Sequence, residues 1–450
     1  MPETLRLQRG SEIDLQVHDL AHGGAGVARL DGYVVFVQGG FPGDRVRARI
    51  GKSKKSYAEA QVIELLEAGP DRIEARAEHP GAPWQVLPYE RQLLEKERQV
   101  REALERIGGF ESAPVEPIVP AIEPWRYRNK LEYSFGPGED GQLALGFHRR
   151  GRWDVIDDVE EDVLASEAID SVRLAVREWC RGQGLDAYDR GSHAGFLRNL
   201  VVREGRRTGQ IQARIVTSPG QFHPEKLAPE LPIHGLLWTA AAGVAETTRG
   251  GETKLVAGKE WIEERLGDLR FRISPEAFFQ TNTEMAERLY ELVVEGAGLT
   301  GKEKVFDLFC GSGTIALTLA GHAGEVWGVE QVHDSIRDAI RNAELNGIDN
   351  ASFFAGDVRT SMRPLVEEAG KPDLIVLDPP RAGLSAKIVR RVMEGEARRI
   401  VYVSCNPTTL APNLRQLVDD GGYVLRSDTP VDMFPQTPHI EAVAVLEMAP

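Results

Sequence analysis

Lys304-Val305-Phe306-Asp307-Leu308-Phe309-Cys310-Gly311-Ser312-Gly313-Thr314 is the stretch that decides the fold. It reads as a short strand that enters a glycine-rich turn and then opens a helix. Glycine adopts conformations closed to other residues and lets backbone approach a ligand, and the helix start that follows offers free N–H groups. Working outward from about residue 290, strand-like runs recur: KVFDLF, EVWGVE, ASFFAG, DLIVLD, RIVYVS, YVLRSD and AVAVLE, with helical patterns such as HDSIRDAIRNAELNG between them. That alternation predicts an α/β domain with a doubly wound sheet.

In such a sheet ligands bind beyond the carboxyl ends of the strands, so the residues that follow each strand carry the information. The second strand ends in Glu330, seventeen residues after Gly313. That is where an acidic residue can hold the hydroxyls of an adenosine ribose, and the pair suggests an adenosine-containing cofactor, either a dinucleotide or S-adenosylmethionine. Another strand ends in Asp378-Pro379-Pro380-Arg381. Two prolines cannot donate to a sheet ladder, so they turn the chain out of the strand and leave Asp378 over the cleft. A third ends in Ser404-Cys405-Asn406-Pro407, and His439-Ile440-Glu441 leads into the closing strand. A single cysteine at a strand end is more often a small buried hydrophobe, and a glutamate there is usually solvated. Cys405, however, occupies the sheet position where reactants belong.

Upstream, residues 11–65 read as short alternating strands with glycine or proline between them, the pattern of a small β-barrel. In DRVRARI, Val46, Ala48 and Ile50 face one way and Arg45, Arg47 and Arg49 the other, and the basic face continues into Lys52, Lys54 and Lys55. Alternating arginines alone suit a solvated barrel wall; with KSKK and Tyr57 beside them they predict an RNA contact. Residues 89–108 predict an amphipathic connector helix with Leu93, Val100, Leu104 and Ile107 on its apolar stripe. A mixed region over 116–285 holds the clusters WRYRNK and HRRGRW, in which basic and aromatic residues interleave.

The chain of 450 residues is long enough for several ordinary cores, and its 42% hydrophobic and 27% charged content excludes a disordered or fibrous protein. Its three cysteines, Cys180, Cys310 and Cys405, lie too far apart for a disulfide framework or a local zinc site. A reducing compartment follows. The start has no apolar signal core, and no run approaches the length of a membrane span, so a soluble, cytoplasmic protein without membrane contact is expected. The net charge of −15 means that any polyanion must be held by local patches.

FDLFCGSGTIAL, LDPPRAGL, VSCNPTTL and HIE, in that order, together with FFQTN at Phe278 to Asn282, resemble the RNA uracil-5-methyltransferase family. GGAGVARLDGYVVFVQGGFPGD resembles its TRAM domain, an OB-like RNA-binding barrel, and PWQVLPYERQLLEKERQV and GFLRNLVVR extend the similarity across the middle. The resemblance implies a TRAM barrel at 1–66, a helical connector at 67–115, an RNA-facing central α/β domain at 116–285 and a Rossmann-like methyltransferase domain at 286–450. It makes Cys405 the nucleophile and Glu441 the base. Gln280, Phe309, Gly311, Gly313, Thr314, Glu330, Asp357 and Asp378 would line the pockets for S-adenosylmethionine and the target base. The implied reaction is methylation of carbon 5 of a uridine in RNA by a monomer. The barrel points to 23S rRNA, with a tRNA T-loop uridine as the alternative.

Two departures from the family pattern stand out. Members with an iron–sulfur cluster carry a cysteine-rich segment where this chain has His79-Pro80-Gly81-Ala82-Pro83-Trp84-Gln85, so no cluster and no other metal is expected. After the catalytic loop, Pro412 and Asn413 stand where the family often has arginine and aspartate. Three rivals are weighed against this reading. A cytosine-5 methyltransferase would typically have a cysteine directly after the aspartate-proline turn. A dinucleotide-dependent oxidoreductase leaves Cys405, Glu441 and the DPPR turn without joint purpose. An RNA-binding or assembly factor with a retired site would not need its full catalytic set.

Overall fold

Glycine and proline cut the N-terminal region into five strands, β1 (Glu12–Leu20), β2 (Gly26–Leu30), β3 (Tyr33–Gln38), β4 (Arg45–Ser53) and β5 (Tyr57–Glu67). They close into a barrel in the order β1-β2-β3-β5-β4. Val46, Ala48 and Ile50 are buried in its core with Val17, Val35 and Val37, as the alternation predicts. The computed structural model describes residues 7–149, 152–243, 247–248 and 250–449. The first six residues of the barrel segment and Arg150 and Gly151 of HRRGRW lie outside that description, as does the Trp153 side chain.

Helix α1 (Tyr89–Glu102) follows, and its last turn widens into a π-helical turn over Ala103–Ile107. Val100 and Leu104 are buried as expected, but Ile107 is exposed, and the other inward positions belong to Gln92, Glu95, Lys96 and Gln99. The reason lies partly in what the helix docks against: segment 432–440 presents the Asp432 carboxylate, the Phe434 carbonyl and Gln436 to Lys96 and Gln92. Lys96 Nζ lies 2.5 Å from Asp432 Oδ1, both side chains fully buried, and also donates to the Phe434 carbonyl. Tyr89 donates its hydroxyl to the other oxygen of Asp432 at 2.7 Å. Gln92 and Gln436 exchange hydrogen bonds, holding Gln436 at a positive φ of 65°. Asp19 on the barrel pairs with Arg98 at 2.6 Å, so α1 fastens the barrel as well.

The central region is a seven-stranded sheet in the order β12-β11-β10-β9-β6-β7-β8. Its strands are β6 (Lys130–Pro137), β7 (Leu143–Arg149), β8 (Arg152–Asp157), β9 (Leu197–Gly205), β10 (Gln210–Thr217), β11 (Gly235–Ala240) and β12 (Glu252–Gly258). Helix α2 (Glu167–Gly182) covers one face over a core that includes Tyr133, Val172, Val176, Leu200 and Ile215. The hairpin β13 (Ile262–Leu266) and β14 (Leu269–Ile273) lies between the central sheet and the C-terminal layer. Its apolar face, Ile262, Phe271 and Ile273, packs with Met285 and Leu289 of α3 (Thr283–Ala297) into the core of the C-terminal layer.

That layer contains all seven strands read from the sequence: β15 (Lys304–Leu308), β16 (Glu325–Glu330), β17 (Ala351–Ala355), β18 (Leu374–Leu377), β19 (Arg399–Ser404), β20 (Tyr423–Val431) and β21 (Glu441–Met448). Helices α4 (Thr314–Ala320), α5 (His333–Asn346), α6 (Val358–Ala369), α7 (Ala386–Met393) and α8 (Pro407–Gly421) connect them. The order is β17-β16-β15-β18-β19-β21-β20, and β15 to β19 pair in parallel. β21, in contrast, runs antiparallel to both β19 and β20. Among the described residues no helix is long and apolar enough to cross a membrane.

The Lys96–Asp432 pair gives a direct test of how segment 432–440 is held. Removing one partner of a fully buried ion pair strands the other charge, so Lys96→Met should lower stability by about 3–5 kcal/mol in urea unfolding. Adding Asp432→Asn to that variant should recover part of the loss. A single-variant loss within error of zero would show that the pair does not hold the segment.

Candidate active site

The parallel strands all point their carboxyl ends at one edge, and the sheet delivers its chemistry there. After β15, Phe309 takes a positive φ of 78°, an uncommon conformation for an aromatic residue and one that costs backbone energy, while its N–H and that of Cys310 both bond to the Val329 carbonyl. Gly311 and Gly313 follow at φ 53° and 82°. A Cβ on Gly313 would sit 3.0 Å from Ala339 and 3.2 Å from the Phe353 ring, so the turn needs glycine there for space as well as conformation. Thr314 opens α4 and accepts a hydrogen bond from the Tyr290 hydroxyl. Glu330, at the end of β16, accepts the Gly311 N–H at 3.3 Å and the Val332 N–H at 2.9 Å. Asp357, beyond β17, caps α6 by accepting the Arg359 N–H. Gln280 is buried, and its carbonyl is fixed by Asn129; two residues earlier the Phe278 carbonyl accepts the Ser312 hydroxyl of the glycine turn.

Cys405 and Glu441 meet through the reversal of β21. In the antiparallel ladder Ser404 pairs with Ala442, so one further step sets Cys405 across from Glu441. A residue at the start of a strand thereby joins the carboxyl ends of its neighbours. Glu441 is buried; burial and Asp378 push its carboxyl well above the usual range, opposed by Arg381. Cys405 immediately precedes Asn406, the N-cap of α8. A helix N-terminus favours thiolate. Here burial and the carboxylates of Glu441 and Asp378 outweigh it, lifting the thiol to about 11. In the free protein Cys405 is held as a thiol.

Asp378 follows β18 in the proline turn, and burial raises it to about 7. The loop after it is braced by Asn413, which takes both the N–H and the carbonyl of Leu384 and accepts the Tyr402 hydroxyl. Asn406 and Thr409 donate to the Arg381 carbonyl, tying the aspartate loop to the cysteine loop. Asn413, one of the two departures from the family pattern, is thus a brace inside the fold.

Asp307 belongs to this group although the sequence reading gave it no role. It is completely buried in β15, neither carboxylate oxygen has a hydrogen-bond partner, and burial with Asp378 and Glu330 nearby raises it to about 8. The signal was available: a carboxylate inside a fully buried parallel strand is an outlier that asks for a function.

On the barrel wall four of the six cations expected to meet RNA have acidic neighbours. Arg45 pairs with Asp14 and Glu67, Arg47 with Asp14 and Glu64, Arg49 with Glu12 and Lys52 with Glu59. Those partners lie on β1 and β5, which flank β4 in the barrel and interleave acids with its arginines. Lys54 and Lys55 take part in none of the described ion pairs.

Residues 236–449 match the family described as tRNA (Uracil-5-)-methyltransferase, and residues 6–63 match the TRAM domain. An uncharacterised RNA methyltransferase of Halalkalibacterium halodurans is 40% identical over 453 residues, spanning 98% of both chains. One from Chlorobaculum tepidum is 38% identical over 476 residues, with 99% of this chain and 98% of the relative covered. The solved structure of the Pyrococcus abyssi tRNA (uracil-54, C5)-methyltransferase, in complex with S-adenosyl-L-homocysteine, superposes with a TM-score of 0.79 at 30% identity. The match covers 96% of this chain and all of that one. The chain belongs to the RNA uracil-5-methyltransferase family. It is an RNA methyltransferase, and its cofactor is S-adenosylmethionine.

The residues at the sheet edge suit that cofactor. It carries a sulfonium and an ammonium cation, and the edge gathers Asp307, Glu330, Asp378 and Glu441. The unpartnered oxygens of Asp307 are the strongest sign, since a buried carboxylate without a donor is costly until a cation or donor arrives. Among the described residues no group of three or more His, Cys, Asp or Glu is arranged to hold a metal.

Asp307 also predicts a pH signature. Unfolded, its carboxyl titrates near 4; folded, at about 8. Between those values only the folded chain keeps the proton, so this group's contribution to stability falls as pH rises. Asp307→Asn removes that penalty: its melting temperature should exceed the parent's by a margin that grows from pH 5 to pH 8, while its affinity for S-adenosylhomocysteine falls. A margin independent of pH, or unchanged affinity, would contradict this account.

Proposed function

We propose that the protein methylates carbon 5 of a uridine in RNA through a covalent adduct between Cys405 and carbon 6 of the base. The observation that carries this reading is a thiol and a buried carboxylate facing each other at the strand edge, beside Asp378 and the glycine turn. Carbon 5 of uracil is a weak nucleophile. Addition of the Cys405 sulfur to carbon 6, with the thiol proton passing to water, forms the S–C bond and moves the double-bond electrons onto the carbon 4 carbonyl as an enolate, whose carbon 5 can then bond to an electrophile. S-adenosylmethionine supplies that electrophile as a methyl carbon on a sulfonium. Glu441 then takes the carbon 5 proton, the C5=C6 bond re-forms, and the Cys405 thiolate leaves. Glu441 has to be ionised at that moment, and Arg381 favours its charged form. Asp378 holds the base or cofactor, and Gln280, Phe309, Gly311, Gly313, Thr314, Glu330 and Asp357 form the pocket walls. The target base must leave its stack to reach this edge.

For the RNA, 23S rRNA is the reading suggested by the barrel. A specific observation favours tRNA as a second reading: the Pyrococcus abyssi enzyme is named for tRNA uracil-54, and its match extends over 96% of this chain, so a chain of this whole length serves a tRNA enzyme. The barrel by itself does not separate the two.

The test is incubation of the purified protein with methyl-labelled S-adenosylmethionine and unmodified 23S rRNA or tRNA transcripts, followed by nucleoside mass analysis. We expect label in 5-methyluridine from one transcript and none with Cys405→Ala. Label in 5-methylcytidine would overturn the base assignment, and full activity in Cys405→Ala would overturn the covalent mechanism.

A further inference from the structure

With a net charge of −15 the protein uses most of its arginines in ion pairs, yet beside the active site two arginines and two imidazoles have no acidic partner among the described residues. Arg128, Arg381, His22 and His439 take part in none of the described ion pairs. They come from three parts of the chain: His22 from the loop between β1 and β2 of the barrel, Arg128 from the entry to β6, and Arg381 and His439 from the catalytic domain. Burial first, and then the nearby Arg381, disfavour protonation of His22; burial first, and then Arg381, Arg128, Lys96 and His22, do the same to His439, so both imidazoles are neutral donors or acceptors here. Arg381 also acts on Cys405 and Glu441, so the cluster borders the catalytic pair. Lys96 already has Asp432; the other four have no such compensation.

The junction is built and incompletely satisfied. Gln99 of α1 is 6% exposed, its side chain lies against His22, and neither amide atom has a hydrogen-bond partner by distance and angle. His22 Nδ1, Arg128 Nε and the indole N–H of Trp84 are likewise buried and unpartnered. The barrel loop is pressed into this junction: a Cβ on Gly24, which has a φ of 86°, would lie 2.8 Å from Pro438 and 2.9 Å from Trp84 Nε1. Idle buried donors beside two arginines that take part in none of the described ion pairs are costly, and an anion satisfies both at once.

We propose that this three-part junction is an anion site that holds a backbone phosphodiester next to the extruded uridine. The inference rests on the RNA reading given above and adds to it where the backbone is gripped. When a base is turned into a pocket its two flanking phosphates stay at the mouth, and the mouth is where these four side chains converge. The barrel contributes His22, so the site is complete only when the barrel is docked. The polyanion is met here, and not on the ion-paired face of β4.

The test measures binding of a short fluorescent oligouridine by anisotropy across a salt series, using the full chain and its Arg128→Gln, Arg381→Gln and His22→Gln variants. Arg128→Lys serves as the charge-retaining control and Arg363→Gln, on α6, as a remote one. Calorimetric titration with S-adenosylhomocysteine verifies that each variant is folded. Loss of one charge-assisted phosphate contact should weaken binding about tenfold for each arginine variant. It should also flatten the salt slope by about 0.7 per contact. The histidine variant should bind more weakly than the parent, and Arg128→Lys and Arg363→Gln should retain binding. Parental affinity and slope in Arg128→Gln and Arg381→Gln would overturn the proposal and leave the RNA reading standing. Absence of oligouridine binding by the parent at low salt would overturn both.

Discussion

One strand runs against its neighbours, and the chemistry of this protein depends on that reversal. The five parallel strands bring their carboxyl ends to a common edge, where Asp307, Glu330, Asp378 and Cys405 collect. Glu441 stands at the opposite end of its own strand, and only because β21 is antiparallel does that end reach the same edge. The ladder then fixes it to within one residue, since a slip by one would turn Glu441 to the other face of the sheet. Everything before β21 has to hold the approach. Lys96 and Tyr89 grip Asp432, Gln92 grips Gln436, Tyr127 donates to the Pro435 carbonyl, and Asn282 donates to the Met433 carbonyl. The connector helix and the central domain thus hold the segment that leads into Glu441.

The edge is electrostatically unfavourable in the free protein. Burial raises Asp307, Asp378, Glu441 and Cys405 together, so the resting site holds protons that the reaction must move. A cationic cofactor changes that balance, because a positive charge among buried carboxyls favours their ionised forms. The positive φ of Phe309 belongs to the same pattern of local strain tolerated where ligands are handled.

Much of this was legible in the sequence. Parallel strands are buried on both faces, so the five of them appear as apolar runs stopped by glycine, proline or an acid, and the two strands that complete the sheet were legible as well. The residues after them were legible for the same reason. Strand direction was not, because the pattern of AVAVLE is the same whichever way the strand runs; on pattern alone Glu441 reads as a solvated end, and only the family resemblance singled it out in the sequence. The alternation in DRVRARI gave the two faces of β4 correctly, but whether its arginines are free depends on Glu12, Asp14, Glu59, Glu64 and Glu67 of the adjacent strands, which only barrel closure brings alongside. The apolar stripe of the connector helix did not reveal that Gln92 and Lys96 are buried as well, because their partners, Gln436 and Asp432, lie more than 300 residues away in the chain. Asp307 was visible and overlooked, hidden inside the motif that gave the fold.

The central claim is that Cys405 and Glu441 act in sequence on one base, the thiol adding first and the carboxylate releasing it. The most direct measurement is made on Glu441→Gln, incubated with labelled S-adenosylmethionine and the RNA that the parent methylates, then denatured and separated by mass. The account predicts a denaturation-resistant protein–RNA species that carries the methyl label and is lost when Cys405 is also replaced by alanine. Normal release of 5-methyluridine by Glu441→Gln, with no covalent species, would contradict it.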